Sequence, residues 1–277
     1  MLPVKTKPKL AKDVAKHLAG FVVTAEGSPL VTIPQEIFPH FAGSRRLDIP
    51  EKRFLDWVAE ADYEQAGPPW WSQFSTMYLR KMLEHYASIE LADVKAGGTY
   101  MDAAASASPF FEVVRRTHGV AMCYRQDLNR PAGVRGDTIG SDAINIPLPD
   151  ASLDGIVTHN SWEHFEGDSA MGFVRESARL LKPGGRLCIL PMNFRARTEV
   201  WTAPSCWATK YRNAPEYPRF DRRATIVIKE ETVQRQVMWW RPDELATELA
   251  TVPGMRFEIV HVVCAGKANY ALIGHRL

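Results

Sequence analysis

Residues 100–119, YMDAAASASPFFEVVRRTHG, read as the end of a strand, a tight loop and the start of a helix. A loop that brings backbone close to a ligand usually carries glycine where a Cβ would collide or where φ must be positive. Here Ala104, Ser106 and Ser108 stand in those places, and everything from Ala103 to Ser108 is alanine or serine. A Cβ costs about 1–2 kcal/mol wherever the left-handed conformation is needed. Close approach survives because these are among the smallest side chains. Ser108 before Pro109 makes a good N-cap and first-turn pair, so a well-formed helix N-terminus is expected behind the loop.

Outward from this stretch the elements alternate. A strand at Thr99–Asp102, a helix at Pro109–Thr117 and a strand at Val120–Tyr124 precede a long loop and a strand at Leu153–Thr158. A helix from Asp168 to Leu181 follows, with Asp168 as N-cap and Lys182-Pro183-Gly184-Gly185 as its stop. The apolar run Arg186–Leu190 is short enough for a strand buried on both faces. This βαβαβ rhythm predicts an α/β fold with a doubly wound, mostly parallel sheet. A helix from Pro242 to Ala250 and strands at Phe257–Val263 and Tyr270–His275 close the chain, the last two as an antiparallel hairpin.

Between these elements lie two segments of another kind. Residues 1–70 are read as an N-terminal helical cap, with an amphipathic helix over 9–21 and a proline-rich stretch from Ser28 to Pro69. Residues 71–277 are the main domain, which Pro69–Leu91 opens with Trp71, Phe74, Tyr78, Met82 and Tyr86 at helical spacing. Residues 193–239, after the fifth strand, form an insertion bearing Trp201, Trp207, Tyr211, Tyr217 and Phe220. So long an insertion marks a substrate or partner surface. Within it Ala224–Ile228 and Thr232–Met238 are expected as strands around a polar turn at Lys229–Glu231.

Composition bounds the function. The 277 residues are 45% hydrophobic and 24% charged, with formal net charge +2, which gives no field of the kind that recruits nucleic acid. No apolar run approaches the roughly 18 residues of a membrane span. Residues 1–20 hold five lysines and no continuous apolar core of a signal peptide. Cys123, Cys188, Cys206 and Cys264 lack CxxC spacing and read as thiols in a reducing, cytoplasmic setting.

The stretch 141–191, SDAINIPLPDASLDGIVTHNSWEHFEGDSAMGFVRESARLLKPGGRLCILP, resembles the signature region of class I S-adenosylmethionine-dependent methyltransferases, especially the small-molecule branch. An Asp-Ala before the strand, P-L-P-D-A-S-L-D leading into it, Glu-His after it and L-L-K-P-G-G-R-L before the next occur in the family's order. The resemblance implies a Rossmann-like, seven-stranded sheet, S-adenosyl-L-methionine as cofactor and methyl transfer to a small-molecule acceptor. It covers roughly Tyr100–Pro191 and leaves residues 1–70 and the insertion unread.

The resemblance carries the methionine-end loop onto Asp102, Ala103, Ala104 and Ser106. It puts the acidic residue of the second strand at Asp127, twenty-five positions after Asp102. A carboxylate there accepts from both ribose hydroxyls, and Gln126 is the competing residue for that contact. Asp142 and Ala143 fall where the family meets the adenine ring. His159, Asn160, Glu163 and His164 follow the fourth strand, where methyl group and acceptor meet. Asn160 then joins the cofactor contacts, and His159 or His164, with Glu163, is the candidate proton acceptor. Ordering of the loop by the Glu163–His164 pair is the competing role. Asp150 and Asp154 belong to the turn before the strand. The spacing in H-N-S-W-E-H fits no zinc motif, so no metal is expected. An inactive methyltransferase-like module that uses its insertion to hold a partner is the alternative, and the carboxylates at Asp127 and Asp142 favour the enzyme.

Overall fold

The computed structural model describes residues 14–67, 76–207, 215, 217–232 and 234–277. Its main sheet has eight strands: β1 (Gly43–Asp48), β2 (Thr99–Ala103), β3 (Met122–Arg135), β4 (Thr138–Gly140), β5 (Leu153–His159), β6 (Leu181–Met192), β7 (Met255–Cys264) and β8 (Lys267–Arg276). Their order is β1-β7-β8-β6-β5-β2-β3-β4. Strand β2 runs parallel to β3 and β5, and β5 parallel to β6. Strand β8 opposes both its neighbours, β6 and β7. The β7–β8 turn is Ala265-Gly266 with φ of 48° and 73°, the two positive values that a two-residue hairpin turn requires.

Period-two alternation explains why helices cover both faces. Met101, Ile156, Leu187, Ile259 and Leu272 enter one core, where helix α4 (Ser169–Leu180) adds Phe173 and Val174 and α5 (Pro242–Leu249) adds Leu245. Their neighbours Tyr100, Val157, Cys188, Val260 and Ile273 enter the other. That core is filled by Phe54 and Trp57 of α1 (Glu51–Ala61), Met82 and Tyr86 of α2 (Thr76–Leu91) and Phe110 and Val113 of α3 (Phe110–His118). A strand whose successive side chains are all buried demands layers on both sides.

Three expectations are corrected. Eight strands replace seven, because Gly43–Asp48 of the N-terminal segment pairs in parallel with β7 at the sheet's edge. The long loop after Val120–Tyr124 is instead the continuation of β3 to Arg135, which folds back so that residues 132–135 also pair with β4. The crossing chain passes so close that a Cβ on Gly140 would collide with the Pro131 carbonyl oxygen. In the insertion, Thr225–Ile228 and Val237–Trp239 do not pair with each other. They flank Glu199–Thr202 in a separate four-stranded sheet completed by Val23–Thr24. Of the segments singled out in the sequence, residues 9–13, Trp71, Phe74 and Tyr211 lie outside the described residues.

Candidate active site

Strand β2 leads to α3 on one side of the sheet, while β5 leads to α4 on the other. The crevice between their C-terminal ends is where open α/β sheets take ligands. The loop after β2 enters it with Ala104 at φ 52° and Ser106 at φ 46°, both left-handed. The positions that lack glycine thus do adopt the conformation that glycine favours.

The loop holds this shape by bonds to the end of β3. Gln126 Oε1 accepts the Ala104 N–H at 3.0 Å, Gln126 O accepts that of Ala105 at 2.9 Å, and Asp127 Oδ2 accepts that of Ser106 at 3.0 Å. From outside, Ser161 Oγ donates to Ala104 O at 3.2 Å and Arg130 Nη2 to Ser106 O at 2.9 Å. Ser108 Oγ accepts the Phe110 N–H at 3.2 Å, but α3 starts one residue later than expected: Pro109, not Ser108, is its N-cap, and no side chain caps it there.

Two cavities meet at Ala104. The first, of about 240 Å³, is lined by the loop from Ala104 to Ser108, by His159, Asn160 and Ser161 after β5, and by Tyr78, Lys81 and His85 of α2. The second, of about 260 Å³, is lined by Gln126, Leu128, Asp142, Ala143, His164, Phe165, Glu166 and Ser169, with Pro215 and Arg219 of the insertion. Its wall mixes apolar surface with the exposed Asp142, whose Oδ1 accepts the Ile144 N–H at 3.2 Å.

The expected site residues divide between these places. Ala104, Ser106, His159 and Asn160 border the first cavity, and Asp142, Ala143 and His164 the second. Asp102, Ala103, Asp127 and Glu163 border neither. Asp102 and Ala103 are buried beneath the loop. Asp127 is buried too, and Oδ1 accepts the Asn129 N–H at 2.7 Å, so both its oxygens hold backbone. Gln126 and Leu128 reach the cavity where Asp127 does not. Asp154 accepts from Thr99 N–H and Lys182 Nζ, and Asp150 from Arg179, each away from the crevice.

His159 sits in a buried polar array. Its Nε2 shares a hydrogen bond of 2.9 Å with Ser88 Oγ, and its Nδ1 lies 3.5 Å from Asp102 Oδ1, close but without hydrogen-bond geometry. Its ring packs on Phe110 and on His85, with centroids 5.0 and 4.6 Å away. His85 in turn shares a 2.9 Å hydrogen bond with Tyr63 Oη. Burial, with His159 and Lys81 nearby, pushes the His85 pKa well below the ordinary histidine value, so its imidazole is neutral near pH 7. His164 shares a 2.8 Å bond with Gln236 O, and its Nε2 lies 3.9 Å from Glu163. Burial raises the Glu163 pKa, although His164 works against the shift. Asn160 donates to Glu84, itself buried, at the foot of the first cavity.

Lys81 and His85 were missed in the sequence, where only the apolar and aromatic members of their helix stood out. The signal was present, because Tyr78, Lys81, His85 and Ser88 recur at spacings of three and four and so share one helical face.

The model of a methyltransferase-domain family matches residues 100–189, the span from β2 to the middle of β6. No curated protein matches the sequence. Among solved structures, the 1,6-didemethyltoxoflavin-N1-methyltransferase of Burkholderia thailandensis is 15% identical, with 91% of this chain and 94% of that one covered and a TM-score of 0.48. An S-adenosylmethionine-dependent methyltransferase of Aquifex aeolicus is 18% identical, over 71% of this chain and 96% of that one, with a TM-score of 0.39. The matched span contains the left-handed loop, helix α3, Asp142 and the Glu-His pair after β5, and over that span the chain is similar to a methyltransferase domain.

Proposed function

We propose that the chain moves the methyl group of S-adenosylmethionine to an oxygen, nitrogen or carbon atom of a small-molecule acceptor. The observation that carries this reading is the pair of cavities joined at Ala104, one of mixed polarity set against a helix N-terminus, the other mainly apolar with a carboxylate at its edge. The residues present fit the cofactor. Alanine and serine leave room along Ala104–Ser108 for its amino-acid end, and the N-terminus of α3 favours a carboxylate. Leu128, Ala143 and Phe165 offer apolar surface to a purine, and Asp142 is an acceptor for its exocyclic amine.

When bound, the sulfonium supplies an already activated methyl group, so what remains for the protein is alignment and exclusion of water. Ser161 ties the loop to the end of β5, and Asn160 ties that end to Glu84 of α2. Of the three groups expected to move a proton, His159 alone borders the first cavity, and its hydrogen bond to Ser88 fixes its ring. His164 and Glu163 then order the segment after β5. Leu128, not Asp127, is the side chain of β3 that faces the cofactor; Gln126 borders the cavity with its amide held by Ala104 N–H and Ser141 O, and Asp127 anchors the loop. The catalytic domain takes in Gly43–Asp48 and Glu51–Ala61, which add an edge strand and a core helix to the sheet, as well as the expected residues 71–277, and the insertion 193–239 lines the second cavity through Pro215 and Arg219. The buried thiols of Cys123, Cys188 and Cys264 suit a reducing, cytoplasmic setting.

Calorimetry with S-adenosylhomocysteine on the purified protein tests this, alongside mass spectrometry for co-purified cofactor. Saturable binding is expected. Absence of heat at millimolar ligand overturns the reading.

A further inference from the structure

Helix α2 precedes the span that the methyltransferase-domain model matches, yet it forms one wall of the first cavity. Three side chains on its inner face, Tyr78, Lys81 and His85, look across at the loop Ala104–Ser108. Among the described residues that border this cavity, Lys81 carries the one permanent charge. It is half-buried, and the described residues offer it neither a hydrogen bond nor an ion pair. Other lysines of the chain are engaged: Lys52, Lys95 and Lys182 each lie 2.7–2.8 Å from an aspartate. His85 beside it has its pKa pushed down by burial and adds no positive charge near pH 7. Carboxylates close by are spoken for, since Glu84 holds Asn160 and Arg80, and Asp102 lies under the floor beside His159.

A half-buried cation without a counter-ion has lost part of its hydration and gains most from an anion that brings its own charge. Resting on the methyl-transfer reading above, we propose that Lys81 receives a carboxylate carried by the acceptor, so that the substrates are small carboxylic acids. The ring of Tyr78, three residues before the lysine on the same helix, also borders the cavity, which favours acids with an aromatic or otherwise flat body. An acid held by Lys81 lies opposite Ala104–Ser108, next to the end of β5, where the proposed methyl group is presented. The same chemistry has a second source, the carboxylate of the cofactor's own amino-acid end, and the experiment separates the two.

The protein saturated with S-adenosylhomocysteine is titrated, by ligand-observed NMR, with small aromatic acids each matched to its primary amide: benzoate with benzamide, salicylate with salicylamide. Acids are expected to bind about tenfold or more tightly than their amides. Lys81→Met should erase that preference and leave affinity for S-adenosylhomocysteine within about twofold. Equal binding of acids and amides to the native protein overturns the proposal, as does a preference that survives in K81M. A loss in K81M of affinity for S-adenosylhomocysteine, but not for 5′-methylthioadenosine, which lacks the carboxylate, assigns the lysine to the cofactor and also overturns it. Should S-adenosylhomocysteine fail to bind, it is the methyl-transfer reading that falls, and the same acid–amide comparison on the protein alone still decides what Lys81 holds.

Discussion

Asp127 accepts the backbone N–H of Ser106 at 3.0 Å, and this bond ties the left-handed loop after β2 to the tip of β3. Its other oxygen accepts the Asn129 N–H at 2.7 Å. Asp127→Ala therefore leaves two backbone donors without their acceptor and should cost about 1–3 kcal/mol of stability, with weaker binding of S-adenosylhomocysteine. Asp127→Asn, which keeps one acceptor oxygen, should cost less. Urea unfolding and calorimetry measure both effects. Unchanged stability in D127A would show that the loop does not depend on this anchor.

Ala104 and Ser106 hold positive φ with a Cβ in place. Replacing either by glycine removes about 1–2 kcal/mol of local strain and adds roughly 0.5–1 kcal/mol of chain entropy to be lost on folding. A net gain of about 0.5 kcal/mol is expected from these opposing terms for Ala104→Gly. A clear loss of stability in urea unfolding would contradict the account of the loop.

Asp142 borders the second cavity and is exposed, with one oxygen committed to the turn at Ile144. Asp142→Ala should weaken S-adenosylhomocysteine by about tenfold, the worth of one hydrogen bond to a charged group. Thermal unfolding without ligand should change little. Equal affinity in the variant would remove Asp142 from the cofactor site.

The His85 pKa is pushed well below its ordinary value by burial, so the unfolded chain binds this proton more readily than the folded one. Its contribution to stability is fully present above the unfolded pKa of about 6.5 and is lost as pH falls towards the folded value. The slope there is about 1.4 kcal/mol per pH unit for one proton. His118, His261 and His275 are shifted in the same direction and contribute with the same sign. Replacing His85 by Gln should make the stability profile from pH 6.5 to pH 5 shallower, even if overall stability drops. An unaltered slope would mean that His85 does not stay neutral in the fold.

Much of the architecture was legible in the chain. The strand at Arg186–Leu190 announced itself because residues buried on both faces leave an apolar run, those at Thr99 and Leu153 by their alternation with helices, and Pro242 marked a helix start by backbone chemistry alone. Gly43–Asp48 was not legible. With Ser44, Arg45 and Arg46 exposed at the sheet's edge, it carries no apolar run, and only pairing with β7 makes it a strand. The insertion misled for a related reason. Thr225–Ile228 and Val237–Trp239 have the composition of strands, but composition does not say that Glu199–Thr202 comes between them.

At the site, the sequence by itself determined which local conformations and chemical groups were available: the small-residue loop with its following helix, the Asp-Ala pair at 142–143, and the histidines after β5. Tertiary structure decided which of these face a common space. It turned Asp127 inward to hold the loop, separated His159 from His164 by placing them on different cavities, and brought Lys81 and His85 from a helix outside the matched span to the loop's open side. Local sequence governs φ, capping and periodicity through neighbours along the chain. Burial and the direction in which a side chain points depend on packing between segments tens of residues apart, and that packing is where the assignment of roles was made.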